Sequence, residues 1–354
     1  MRGSIAKKGN TYYAVIAIGS KRKWIKGGET KKDAERVLNE NLPDAQEGNF
    51  QDVKKVTFKE FGTIWIESYV AGNIKITAQA GYRQVVARFT NHFGNALLQN
   101  ITGAHIQAFV SKRLKEVQPS TAQWETIILK QMLKDAYHWG YSKRNPGEFI
   151  KNPRVAKKRV ETINIEEANR VIEMVDPHYR VAVLTSIFTG LRANELWGLT
   201  WEDIDLDKNV IHVRHSLWKG KLNVPKTETS ERKVDISPSL ALELKKWKLQ
   251  SPKNDLNLVF TTRHGHPVIH HNFVKLYFKP ALKEAGLNPV KWHSLRHTNA
   301  SVRIRSEQNP KYLSQQLGHS SIKITFDLYG HLFEDAEFSK NQVSKLENTF
   351  YAGR

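Results

Sequence analysis

Near its C-terminus the chain reads His293-Ser294-Leu295-Arg296-His297, then Leu317-Gly318-His319, then Tyr329-Gly330-His331. Upstream, Arg192 lies in Thr189-Gly190-Leu191-Arg192-Ala193-Asn194-Glu195-Leu196. Two arginines, several histidines and one tyrosine have the chemistry to clamp a phosphodiester and attack it. A guanidinium is a planar fork of donors that matches two phosphate oxygens, which a lysine cannot do. Because Arg192 follows the Thr189-Gly190 break, it should open a short helix that holds it rigidly. His293 and Arg296 are three apart, so a helix starting near Trp292 puts both on one face, with His297 beside it. Phosphoryl transfer requires charge stabilisation on the non-bridging oxygens, an in-line nucleophile and a proton for the leaving oxygen. Arg192 and Arg296 suit the first role, with His319 adding a donor, and Tyr329 suits the second. A phenol of ordinary pKa, about 10, attacks poorly at neutral pH, so neighbouring positive charge is expected to favour the phenolate. Each residue taken alone has an ordinary reading: a surface arginine at a helix start, a satisfied histidine, a packing tyrosine. The set of them carries the argument.

Composition narrows the partner. Lys and Arg number 55 against 35 Asp and Glu in 354 residues, a net charge of +20. A polyanion follows from that, with nucleic acid ahead of an acidic membrane surface. No run of about 18 apolar residues occurs, and Met1-Arg2-Gly3-Ser4-Ile5-Ala6-Lys7-Lys8 leads into no apolar signal core, so a soluble, unsecreted protein is expected. The absence of cysteine rules out disulfides, a thiol nucleophile and cysteine-ligated zinc, in keeping with a reducing cytoplasm. A metal hydrolase is the rival suggested by His264, His266, His270 and His271. Adjacent His270 and His271 cannot face the same way on a helix, and no H-E-x-x-H motif or carboxylate-rich partner accompanies them.

The catalytic candidates need elements to hold them. Residues 1–32 hold nine Lys or Arg and a single acid, Glu29, around the apolar run Tyr12 to Ile18. That pattern predicts short strands joined by the turn Gly19-Ser20-Lys21-Arg22-Lys23, then a helix from Lys31 to about Asn41 ended by Pro43. Residues 57–142 read as four helices. Phe58, Phe61, Trp65 and Ile66 form one apolar stripe, and Tyr82, Val85, Val86 and Phe89 a second. Ile106, Phe109 and Val110 form a third, and Trp124, Ile127, Ile128, Met132, Leu133 and Ala136 a fourth. Their strict helical period assigns these aromatics to a core in preference to base stacking. Lys75, Arg83, Lys112 and Arg113 then face outward and join Lys21, Arg22 and Lys23 as candidate phosphate contacts. A proline-bearing basic stretch follows and reads as a linker. Beyond it, helices are expected at Ile165–Val175, behind an Asn164 cap, and at Tyr179–Phe188, then strands at Val210–Val213, Leu222–Pro225 and Arg232–Ile236, then helices to the end.

The motifs from Thr189 to His331, in this order and spacing, resemble those of the tyrosine recombinase (phage integrase) family, in its phage or conjugative-transposon form; the upstream segments match more loosely. The resemblance implies a multidomain fold. Residues 1–50 would be a small N-terminal β-sheet plus helix, the arm-type DNA-binding domain, and 55–145 an all-α helical-bundle core-binding domain of SAM-like type. Residues 146–160 would be a basic linker, and 161–354 a mixed α+β, mainly helical catalytic domain. Lys226, in Pro225-Lys226-Thr227, would lie on a hairpin between the Leu222 and Arg232 strands and protonate the departing 5′ oxygen. Without the family it reads as a solvated lysine, with Lys219, Lys221 and Lys233 as competitors. Glu195 and His297 would support the site.

The activity implied is site-specific DNA recombination through a 3′-phosphotyrosine on Tyr329, integrating and excising a mobile element without cofactor, metal or ATP. The implied partners are double-stranded attachment-site DNA and three further copies in a homotetramer, with room for a DNA-bending host factor and an excision factor, and with no membrane. The setting would be the nucleoid in a bacterial cytoplasm. A type IB topoisomerase shares these roles without exchanging partners, and the arm-like N-terminus argues against it. A non-catalytic accessory factor is opposed by the presence of all six catalytic candidates. The C-terminal segment Phe333 to Phe350 is apolar enough to form a helix that docks on a neighbour or on its own subunit.

Overall fold

The alternating run from Thr11 to Ile18 becomes the middle strand of a three-stranded antiparallel sheet in the computed structural model, with β1 (Gly3–Lys8) and β3 (Lys21–Gly28) on either side of β2 (Thr11–Ile18). The structure describes residues 3–18, 21–47, 53, 55–156, 160–223, 231–330, 343–345, 347–348 and 351. It divides into two units, residues 1–157 and 158–354. Lys21, Arg22 and Lys23, expected in a turn, instead open β3 opposite Ile18, Ala17 and Ile16. Helix α1 (Lys31–Gln46) starts with a reciprocal cap between Thr30 and Asp33 and runs through Pro43, which was expected to end it. A proline already has a helical φ and gives up one backbone donor. Ala45, 1 % exposed, continues the face begun by fully buried Ala34, so packing holds the last turn.

The rest of the first unit is helical. Helix α2 (Phe58–Trp65) continues through a π turn at Ile66–Val70 and is followed by α3 (Ile76–Phe93), α4 (Gly103–Glu116) and α5 (Pro119–His138). Phe58, Phe61, Trp65, Phe89, Ile106 and Met132 fill its core as their spacing predicts. Trp124 and Ile127 do not, being 39 % and 47 % exposed. The inward position between them belongs to Glu125, which is fully buried and paired with Arg113 at 2.7 Å and Arg88 at 3.2 Å. Apolar periodicity cannot foresee a face turned by a buried carboxylate.

In the second unit, α6 (Ile165–Met174) begins at the Asn164–Glu167 capping box, as expected from Asn164. It is followed by α7 (Pro177–Thr189) and the short α8 (Ala193–Trp197). One small sheet has the order β4-β5-β8, from Ile204–Asp205, Val210–Val213 and Arg232–Asp235, and β6 (Ser216–Trp218) pairs with β7 (Lys221–Asn223) in another. The Leu222 and Arg232 strands therefore belong to different sheets among the described residues, contrary to the expected hairpin between them. Leu222 finds its partner at Leu217, and Arg232 pairs with Val213. Lys226 lies outside the described residues, as does most of the Phe333–Phe350 segment.

Helices complete the unit: α9 (Pro238–Gln250), α10 (His270–Phe273, continued through Val274–Phe278 and Lys279–Glu284), α11 (Ser294–Arg305), α12 (Pro310–Leu317) and α13 (Ile322–Tyr329). An aromatic centre of Trp197, Phe273, Phe278 and Trp292 supports α8 and the start of α11. A smaller cluster of Ala300, Ile304, Leu313, Leu317 and Tyr329 joins α11, α12 and α13. No described helix is long and apolar enough to cross a membrane.

Candidate active site

Two helix ends, each closed by a left-handed glycine, hold the arginines. Helix α7 stops at Gly190 (φ 64°) and α12 at Gly318 (φ 67°), a conformation that costs other residues about 1–2 kcal/mol. The Gly190 carbonyl accepts a 2.8 Å hydrogen bond from Arg296 Nη1, and the Gly318 carbonyl accepts one of 2.8 Å from Arg192 Nη2. Each glycine thus orients the arginine of a distant segment. Space is tight at both: a Cβ on Gly190 would lie 2.9 Å from Asn299 Oδ1, and one on Gly318 would lie 2.8 Å from the Arg232 guanidinium. Asn299 in turn donates to the Ile187 and Phe188 carbonyls at the end of α7, tying it to α11.

Arg192 is the N-cap of α8, where its backbone N–H and Nη1 both donate to Glu195, at 2.9 and 2.8 Å. Glu195 also receives Arg232 through both Nη atoms, at 3.1 and 2.8 Å, while Arg232 Nε donates to the Gln316 carbonyl. Burial raises the Glu195 carboxyl, but the Arg232 pair, with Arg192 beyond it, outweighs that and holds it at about 2. Arg296 is 3 % exposed and, among the described residues, has no carboxylate partner. Burial, then the charge of Arg192, lowers it to about 10, so it stays charged at neutral pH. A buried unpaired cation is costly unless an anion arrives.

Arg192, His293, Arg296, His297, His319 and Tyr329 line one cavity of about 290 Å³. The structure therefore brings together five of the six catalytic candidates, the sixth being Lys226. Tyr329 ends α13 and is fully buried. Its hydroxyl lies 2.7 Å from His297 Nδ1. The charge expected to favour the phenolate is outweighed: burial pushes the phenol up to about 12, against a smaller opposing pull from Arg296. All three histidines are held below their usual value. Burial comes first in each case, followed for His293 and His319 by Arg296 and Arg192. For His297, brought to about 4, the next causes are His293 and Arg296. His319, also at about 4, is braced by a 2.8 Å contact from Nδ1 to the hydroxyl of fully buried Thr325.

The sequence reading missed Arg232 and Thr325. Arg232 was only the start of a strand and Thr325 one residue of an amphipathic helix, so only the folded contacts, Arg232 with Glu195 and Thr325 with His319, single them out. The histidines of the metal reading do not converge. His270 takes the Trp197 indole N–H at 3.2 Å, and among the described residues no group of three or more His, Asp or Glu side chains is placed to hold a metal ion. Of the candidate DNA contacts in the helical bundle, Lys75, Arg83 and Lys112 are exposed. Arg113 is not available in the same way. Its side chain is 14 % exposed and sits between Glu125 and Glu116.

Comparison with known proteins identifies the chain as an enzyme that cleaves and rejoins DNA strands. The chain belongs to the phage integrase family, the tyrosine recombinases: the family's model matches residues 155–335, and that of the phage integrase N-terminal SAM-like domain matches residues 57–114. It is 29 % identical to a "Tyrosine recombinase XerC-like" protein of Caldanaerobacter subterraneus subsp. tengcongensis, over 97 % of this chain and 98 % of that one. Its fold resembles that of the Tn1549 transposon integrase in complex with a circular intermediate DNA, with a TM-score of 0.71 at 19 % identity over 82 % of this chain and 99 % of that one. It also resembles a lambda integrase tetramer bound to a Holliday junction, with a TM-score of 0.63 at 16 % identity over 90 % of this chain and 95 % of that one. The protein is a site-specific recombinase of the integrase type.

Proposed function

We propose that Arg192 and Arg296 clamp the two non-bridging oxygens of a scissile DNA phosphate while Tyr329 attacks its phosphorus. The bond to the 5′ oxygen breaks, leaving a 3′-phosphotyrosine and a free 5′ hydroxyl. A 5′ hydroxyl from another strand then attacks the phosphotyrosine and rejoins the backbone. The phosphodiester's energy stays in the covalent link, so the reaction needs no nucleotide. His293 and His319, held neutral, donate hydrogen bonds to the same phosphate, and Lys226 gives its proton to the departing 5′ oxygen. Glu195 keeps both neighbouring guanidiniums in place without touching DNA. The observation carrying this reading is that Arg296, buried and without a carboxylate partner among the described residues, lines one cavity with Arg192 and Tyr329.

Residues 1–50 then serve as the arm-type DNA-binding domain through Lys21, Arg22 and Lys23, and residues 55–145 as the core-binding domain through Lys75, Arg83 and Lys112. Residues 146–160 act as a linker, and residues 161–354 carry the chemistry. The assembly is a homotetramer on attachment-site DNA that integrates and excises a mobile element on the nucleoid of a bacterial cytoplasm. A DNA-bending host protein and an excision factor assist it. The tetrameric lambda integrase of like fold supports the stoichiometry. Replacing Arg192 or Arg296 by alanine tests the clamp. Strand cleavage of a nicked duplex should fall by at least about 100-fold, with the affinity for DNA changed only a few-fold. Cleavage at the parent's rate would contradict the clamp.

A further inference from the structure

Clamping and attack leave the phenol proton of Tyr329 without an acceptor. Bonding to phosphorus requires Oη to lose that proton, and burial makes the loss unfavourable. Among the described residues, the one side chain within hydrogen-bond distance of the hydroxyl is His297, whose Nδ1 is 2.7 Å away. Neither Arg192 nor Arg296, which bring positive charge to the cavity, can accept a proton.

We propose that His297 is a catalytic base: its Nδ1 takes the Tyr329 hydroxyl proton as the phosphotyrosine forms and returns it when the strand is rejoined. The tautomer with its hydrogen on Nε2 leaves the Nδ1 lone pair facing the phenol. In cleavage, the O–H bond of Tyr329 breaks, Oη bonds to phosphorus, and His297 becomes imidazolium while Lys226 protonates the leaving 5′ oxygen. In rejoining, the incoming 5′ hydroxyl gives its proton back to Lys226, the Oη–phosphorus bond breaks, and imidazolium reprotonates the tyrosinate. Protons and charge balance over the cycle.

The setting suits a base. The ring packs edge-on against His293 at 4.8 Å and against Tyr329 at 5.7 Å between ring centres, which fixes its plane. His293 and Arg296 face it from its own helix, and Tyr329 and His319 from α13 and the end of α12, with Arg192, Glu195 and Arg232 behind them. Burial, with His293 and Arg296 beside it, keeps the imidazole unprotonated at neutral pH, so the acceptor is free when substrate arrives. The arriving phosphate brings negative charge that would stabilise the imidazolium once formed.

This inference rests on Tyr329 as the nucleophile, and the experiment separates the two. Single-turnover adduct formation is measured with full-length protein on a nicked duplex, and again on one whose scissile 5′ oxygen is replaced by sulfur, a leaving group that needs no acid. His297→Asn keeps an amide near Nδ1 but cannot take a proton, and His297→Gly leaves a gap for added imidazole. Melting temperature and DNA affinity establish that both variants are folded and bind. We expect His297→Asn to be slowed about 100-fold or more on both duplexes. Lys226→Ala should recover on the sulfur substrate, and imidazole should restore His297→Gly. Adduct formation by folded His297→Asn within about 3-fold of the parent would overturn the inference, and so would loss of rate in His297→Gly that imidazole cannot restore. An adduct formed by Tyr329→Phe would overturn the nucleophile instead.

Discussion

Tyr329 rests as a neutral phenol, held at about 12 by burial, among three histidines that burial, with Arg296 nearby, keeps neutral. The pH dependence of stability follows from two of these. An unfolded histidine titrates at about 6.5, whereas His297 and His319 titrate at about 4 in the folded chain. Between those values the unfolded chain binds the extra protons, so stability should decline as pH falls from about 6.5 to about 4. Glu195 adds a second decline, from about 4.3 down to about 2, because its folded value lies below its unfolded one. Thermal melting across this range checks both, and a His297→Asn, His319→Asn double variant should flatten the upper step. Arg232→Ala gives a further test: it removes both Nη contacts from Glu195, so Arg192 loses its rigid support. Cleavage should drop roughly 10- to 100-fold with DNA affinity nearly unchanged. That Arg192, His293, Arg296, His319 and Tyr329 could gather at one place was legible because residue type and local spacing carry it; Lys226 came from the family resemblance alone. Arg232 and Thr325 were not legible, since each acts through a contact that helical spacing does not announce: Arg232 with distant Glu195, and Thr325 with His319, six residues back across a helix cap.

At the scale of elements, the site depends on two helices stopping at the right residue. Gly190→Ala places a methyl in the left-handed region and within 2.8 Å of Leu317, in the cluster that also holds Tyr329. Destabilisation of about 2 kcal/mol or more is expected, read from denaturant unfolding. Arg113→Ala should destabilise the helical bundle by about 2 kcal/mol, because it leaves Glu125 buried with only Arg88. DNA affinity should stay unchanged, whereas Arg83→Ala should weaken it. Where local signals and packing agree, the sequence reading located elements to within a residue or two, as at the Asn164 cap of α6 and the start of β8. It failed where tertiary contacts overrule local signals. Pro43 lies inside α1 because Ala45 packs, and the Leu222 strand turns back on Leu217 instead of reaching Arg232.

For the whole molecule, a charge of +20 makes association with DNA a matter of counterion release. Replacing Lys21, Arg22 and Lys23 by alanine should flatten the salt dependence of binding by about one unit of log–log slope for each phosphate no longer neutralised. An unchanged slope would remove the N-terminal sheet from the interface. A small N-terminal sheet and a mostly helical body were both legible from hydrophobic period and charge, though the third strand was not. Which surface faces DNA was not, because exposure and pairing decide it, as Arg113 shows. The most direct test of the central claim mixes the full-length protein, without metal or ATP, with a nicked attachment-site duplex labelled on either side of the break. Protein-linked DNA is then sought after denaturation. The account predicts an adduct carrying the 3′ label, formed by the parent and absent with Tyr329→Phe. An adduct on the 5′ side, or one that survives that substitution, would contradict it.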